Sequence, residues 1–223
     1  MVQRAPFIVL EGPEGAGKTV QSTRLADWLR RRGWQVIQTR EPGGTPTGDA
    51  IRAILLQSEG LHLQSRTEAL LMTAARAQHV AEVILPALAE GTAVVCDRFV
   101  DSTYAYQGGG SQLPMDELER LQGFATRGLV PDIRLLLDLP VEVGLTRRHG
   151  DSDQINRIDL APLEFHMRVR QTFRNLASSE PDLWDIIDAS KGIDEVTTAI
   201  IEAVARRLQG WSIPDPHRDE APK

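Results

Sequence analysis

The sequence predicts an α/β fold built on a parallel sheet with helices on both faces. Two observations lead there. Short apolar runs of strand length alternate with longer amphipathic runs along the chain. A glycine-rich turn then joins the first apolar run directly to the first amphipathic one. Parallel strands need long crossovers and bury both faces of their sheet, and alternation of this kind supplies both.

In chain order, "PFIVLE" (6–11) is the first strand and "GKTVQSTRLADWLRRR" (17–32) the first helix. "WQVIQT" (34–39) is the second strand, and "TPTGDAIRAILLQS" (45–58) has a helical period. The run "RTEALLMTAARAQHVAEVILPALAE" (66–90) reads as one long helix, apolar over more than one face, which implies either burial or a partner. "TAVVCD" (92–97) follows as a strand, then a helix over "PMDELERLQGFAT" (114–126). Strand "DIRLLLD" (132–138) leads to helices "VEVGLTRR" (141–148) and "APLEFHMRVRQTFRNLA" (161–177). Between these two helices, "RHGDSDQINRID" (148–159) is polar and reads as a loop. Strand "LWDIID" (183–188) and helix "IDEVTTAIIEAVARRLQ" (193–209) complete the pattern. All five apolar runs read as buried strands. Residues 1–209 are expected to form one domain, and "GWSIPDPHRDEAPK" (210–223) a disordered tail. In such sheets ligands bind beyond the carboxyl ends of the strands.

With 223 residues the chain is long enough for one sizeable core, and 41% hydrophobic with 25% charged residues is ordinary for a soluble domain. A net charge of −6 argues against a large nucleic-acid surface. The single cysteine, Cys96, excludes an internal disulfide and reads as a buried strand thiol. "MVQRA" passes directly into "FIVLEG", too short and too soon polar for a signal peptide or a spanning helix, so a cytoplasmic location is expected. The five histidines share no metal-ligand spacing. Trp28, Trp34 and Trp184 read as packing residues.

Gly12, Gly17, Lys18 and Thr19 fill the pattern G-x-x-x-x-G-K-T at a strand–helix junction. The loop Gly12, Pro13, Glu14, Gly15, Ala16, Gly17 can wrap phosphate oxygens with backbone N–H groups, helped by the positive end of the helix. Lys18 can reach the β and γ phosphates of a nucleoside triphosphate, and the Thr19 hydroxyl can hold Mg²⁺. Two acids, Glu11 and Glu14, sit in this anion-binding segment. Glu11 ends the strand and is assigned no role.

With "TREPGGT" (39–45), "DRFVDSTYAYQGGG" (97–110) and "NRID" (156–159), the loop resembles that of bacterial thymidylate kinases, in register from about residue 6 to residue 209. The resemblance implies the P-loop NTPase fold of nucleoside monophosphate kinases, with a five-stranded parallel sheet and a short lid at about 148–159. It implies transfer of the γ-phosphoryl of ATP to dTMP, giving dTDP and ADP in dTTP synthesis, with Mg²⁺ as cofactor. It also implies a homodimer formed through the helix at 65–89.

Residue by residue, the resemblance points Glu14 at the 3′-hydroxyl of the acceptor sugar and not at the phosphates; a solvated loop acid is the alternative. Asp97 is expected to support Mg²⁺ and its waters, and Arg98 to pair with the acceptor's 5′-phosphate, where a simple Asp–Arg ion pair is the alternative. Arg52 is a second arginine for that phosphate, and Glu41 faces the same region. Arg76 matches the arginine that donates to O4 of thymine, a donor that would reject cytosine. Thr103 and Gln107 match base contacts, and Tyr106 the tyrosine that closes on the deoxyribose.

In two places the sequence departs from the family pattern. Met72 stands where many members carry a phenylalanine stacked on thymine. Members with glycine at position 15, as here, usually supply a catalytic arginine from the lid, while others carry one in the loop. Here Arg148 and Arg157 are the candidates, with Arg147 at the lid's root nearer the ATP base. Asp151 and Asp153 stand where relatives often have basic residues, so a merely solvated charged loop is the alternative. A deoxynucleoside kinase would not need arginines for an acceptor phosphate, and a non-catalytic nucleotide switch would need switch segments and a partner surface.

Overall fold

The computed structural model describes residues 5–56, 62–150 and 155–213. Most of the expected tail and part of the lid, residues 151–154, lie outside the described residues. Five strands, β1 (Phe7–Glu11), β2 (Val36–Arg40), β3 (Ala93–Asp97), β4 (Ile133–Asp138) and β5 (Trp184–Asp188), form one sheet in the order β2-β3-β1-β4-β5. Every pairing is parallel. The chain leaves central β1 toward β2 and β3 on one side and β4 and β5 on the other. The crevice lies beyond the carboxyl end of β1, the place such a topology reserves for ligands.

β1, β3 and all but the last residue of β4 are buried, whereas β2 and β5 are partly exposed. The expectation of five buried strands therefore holds only for the inner three. An edge strand has a neighbour on one side only, and Ile37 and Ile186 reach solvent. Alternation along β1 sends Ile8 and Leu10 to one face and Phe7 and Val9 to the other. On the first face they meet Leu25 and Leu29 of α1 (Lys18–Arg31) and Ile200 and Val204 of α9 (Ile193–Arg207). On the second they meet Val80, Ile84, Cys96 and Phe99. Trp28, Trp34 and Trp184 are buried, as is Cys96, whose thiol burial pushes well above its usual range.

The remaining helices are α2 (Pro46–Leu56), α3 (Ser65–His79), α4 (Leu85–Ala89), α5 (Val100–Thr103), α6 (Met115–Thr126), α7 (Val141–His149) and α8 (Leu163–Ser179). Two π turns depart from the sequence expectation. Val80–Ile84 interrupts the long helix expected at 66–90, just before Pro86, which has no N–H to give to the carbonyl four residues earlier. Tyr104–Gly110 extends α5 through "YAYQGGG", a stretch whose three glycines and lack of apolar period concealed a helix. Close packing explains two of those glycines. A Cβ on Gly109 would lie 2.0 Å from Thr172 Oγ1, and one on Gly110 2.4 Å from the Phe165 ring. This second π turn carries Tyr106 and Gln107 to the crevice. Among the described residues no helix is long and apolar enough to cross a membrane.

Candidate functional site

The loop after β1 turns through Gly12, Gly15 and Gly17 at φ 144, 71 and 81°. At Gly12 and Gly15 the requirement is also spatial. A Cβ on Gly12 would lie 2.4 Å from Leu137 O, and one on Gly15 2.0 Å from Gly144 O in α7. Helix α7 thus rests on the loop backbone. Lys18 Nζ donates to Gly12 O and Pro13 O, at 2.9 and 2.7 Å. Burial, with Arg98 nearby, lowers its pKa to about 8. Thr19 Oγ1 donates to Asp97 Oδ2 at 2.6 Å, joining the loop to the end of β3.

Glu14 turns away from the phosphate cradle. Its Oε1 accepts from Arg98 Nη2 at 3.0 Å and from the Tyr106 hydroxyl at 2.9 Å. Burial alone would raise this carboxyl, but Arg98 and Lys18 bring it down to about 2. Arg98 also donates to Gly12 O and Ser102 Oγ, at 3.0 and 3.2 Å, and its guanidinium lies 4.8 Å from the Tyr106 ring centre. These residues line a cavity of about 630 Å³, together with Arg40, Glu41, Arg52, Glu68, Met72, Gln107, Arg147, Arg148 and Arg157. Burial, with Arg40 beside it and Arg98 also acting, lowers the pKa of Arg52, so three guanidiniums share one corner. Such crowding of cations is relieved by an anion. The sequence reading missed Arg40, although "TREPGGT" contains it.

The thymidylate kinase family profile matches residues 10–200. The chain belongs to the thymidylate kinase family. It is 50% identical over 203 residues to a thymidylate kinase of Thermomicrobium roseum, covering 91% of this chain and 96% of that one. It is 48% identical over 207 residues to one of Geobacter sulfurreducens, covering 91% and 97%. The crystal structure of thymidylate kinase from Ehrlichia chaffeensis superposes with a TM-score of 0.74 at 31% identity, covering 92% of this chain and 99% of that one.

Three residues that the thymidylate kinase resemblance pointed at the acceptor are engaged by the fold's own groups. Arg76, expected to read thymine O4, is fully enclosed and does not line the cavity. Its Nε donates to Glu41 Oε2 at 2.6 Å, Nη1 to Thr103 Oγ1 and Gln122 Oε1 at 2.8 and 2.5 Å, and Nη2 to Phe99 O at 2.8 Å. Thr103, expected to contact the base, is equally enclosed by accepting from Arg76. Glu41 borders the cavity, but its second oxygen lies 2.9 Å from His79 Nδ1, so both oxygens serve the fold. Arg76→Ala is accordingly expected to lower stability by about 3–5 kcal/mol, because it strands a buried carboxylate. Denaturant unfolding checks this. A variant with wild-type stability would mean that the enclosed Arg76–Glu41 pair does not support the fold.

The lid arginines separate. Arg147 donates to Ala189 O and Ser190 O after β5. Arg148 Nε donates to both oxygens of Asp159 at 3.1 and 3.0 Å, and its charge reaches Glu14. Arg157 pairs with Glu68, whose other oxygen accepts from Gln107 Nε2 at 2.7 Å. Met72 borders the cavity, half-buried.

Proposed function

We propose that the chain transfers the γ-phosphoryl of ATP to dTMP, giving dTDP and ADP for dTTP synthesis. The observation that carries this reading is a single cavity in which a phosphate loop opens beside a second cationic corner, Arg40, Arg52 and Arg98. Two anionic substrates can meet there end to end. The bond from γ-phosphorus to the bridging oxygen of ATP breaks as one forms to a 5′-phosphate oxygen of dTMP. No protein nucleophile is needed, only positioning and charge.

In this reading the loop residues Gly12–Thr19 cradle the ATP phosphates, and Arg147 lies toward the ATP base. Arg98 and Arg52 hold the acceptor phosphate. Glu14 accepts from the 3′-hydroxyl, Tyr106 borders the sugar, and Met72 and Gln107 border the base. The hydroxyl of Thr19 and the carboxylate of Asp97, 2.6 Å apart, are the hard oxygen donors that suit Mg²⁺. An ion held by these two groups would neutralise charge on the β and γ phosphates. A cytoplasmic homodimer belongs to the same reading; Leu70 on α3 and Phe124 on α6, 55% and 84% exposed, favour the dimer.

ADP release measured with dTMP, with thymidine and without acceptor tests the reaction. Rapid release with dTMP alone is expected. Release with thymidine would point to a deoxynucleoside kinase, and acceptor-independent release to a nucleotide switch. A second expected result concerns pH. Lys18 loses its proton above about 8, while phosphate binding favours the charged form. ATP affinity should hold below that pH and weaken above it, by at most about tenfold per pH unit. Titration of ATP binding between pH 6.5 and 9.5 checks the slope, which should vanish in Lys18→Ala.

A further inference from the structure

Glu11 ends β1, is fully buried and does not line the cavity. Its Oε1 accepts from Phe99 N at 2.8 Å and Ser102 N at 3.2 Å, and its Oε2 from Ser102 Oγ at 2.6 Å. Phe99 caps the start of α5 and its amide has no acceptor within that short helix, while Ser102 N shares its proton between Glu11 and Phe99 O, the latter at 3.2 Å. The residue just before Phe99 is Arg98, at φ 73°. A bulky side chain in the left-handed region persists only where the surroundings enforce it. The same Ser102 hydroxyl also accepts from Arg98 Nη1, so carboxyl, hydroxyl and guanidinium form one continuous chain. On the far side of the corner, Arg76 Nη2 holds Phe99 O.

We propose that Glu11 is a positioning residue for Arg98, holding through Phe99 and Ser102 the strained corner from which that guanidinium reaches the acceptor phosphate. The inference rests on the reading of Arg98 given above. The role is one of shape more than charge. Burial, reinforced by Asp101, pushes the Glu11 carboxyl well above the usual range, and a neutral glutamine can stand in for it by taking the two amides on its oxygen and donating from its nitrogen to Ser102 Oγ.

The test is a double-mutant cycle on the full chain, with calorimetric titration of dTMP against wild type, Glu11→Ala, Arg98→Ala and the double variant. Glu11→Ala is expected to weaken dTMP binding about tenfold, to leave ATP binding within about twofold, and to have little further effect once Arg98 is alanine. Glu11→Gln should recover most of the loss, which a role resting on the carboxylate's charge would not allow. Additive losses at Glu11 and Arg98, or equal losses for dTMP and ATP, would overturn the proposal. Unchanged dTMP binding in Arg98→Ala would overturn the reading of Arg98 itself, and this inference with it. Should Glu11→Ala not fold, Ser102→Ala carries the same cycle. Its loss should be smaller, about threefold, and again dependent on Arg98; additivity there overturns the proposal equally.

Discussion

Lys18→Ala is expected to cut turnover by about 10²-fold or more while leaving the fold intact, the scale of losing one preorganised charge stabiliser. The two halves of that expectation have separate causes. The ammonium is held by two carbonyls of its own loop, Gly12 O and Pro13 O, at the point where the loop meets the cavity. Incoming phosphate oxygens offer it stronger, charge-assisted partners in the same place. The loop's shape does not depend on the lysine. It is set by the positive φ angles of Gly12, Gly15 and Gly17 and by contacts with Leu137 and Gly144 that leave no room for side chains. Truncation should therefore leave Pro13 O for water to satisfy, while Gly12 O keeps its bond from Arg98, at small cost in stability. ADP release with dTMP, read beside a thermal melt, separates the effects. Near-normal turnover would remove Lys18 from the mechanism, and a collapsed melting temperature would mean the lysine supports the loop after all.

The sheet and the phosphate loop were legible in the sequence because both depend on local pattern. A strand of five residues between glycine and helix leaves few alternatives, and G-x-x-x-x-G-K-T encodes its own backbone. The acceptor side was less legible because it depends on what lies behind each side chain. Arg76 and Arg98 are both arginines in apolar surroundings, yet one is enclosed by Glu41, Thr103, Gln122 and Phe99 while the other borders the cavity. Nothing local separates them; the difference arises from α3 packing on α6, which brings Gln122 to Arg76. Glu11 escaped for the same reason, since its partners are about 90 residues away in β3's outgoing corner. The π turn at Tyr104–Gly110 hid behind glycines whose purpose is contact with α8, again a tertiary cause.

The second large effect is expected at Arg148, where alanine should lower kcat by about 10³-fold, the scale of an arginine that meets a transferring phosphoryl group. The loop cannot supply such an arginine itself. Position 15 lies against Gly144 O, 2.0 Å from where a Cβ would be, and has φ 71°, so only glycine fits. The charge must then come from the last turn of α7 or the lid after it, and that helix is already seated on the loop. Arg148, one turn past Gly144, is oriented by Asp159, whose side chain is fully enclosed, and its field is felt at Glu14. Arg157 is paired with Glu68 and next to Leu55 O, which in the proposed reading puts it on the acceptor side. Its loss should raise the KM for dTMP more than it lowers kcat. Asp159→Asn should follow Arg148→Ala in kind but at smaller size, because it loosens the arginine without removing it. Single-turnover rates with saturating ATP and dTMP distinguish these cases. A larger rate loss at Arg157 than at Arg148 would exchange their roles, and small losses at both would leave Arg147 as the lid's contribution.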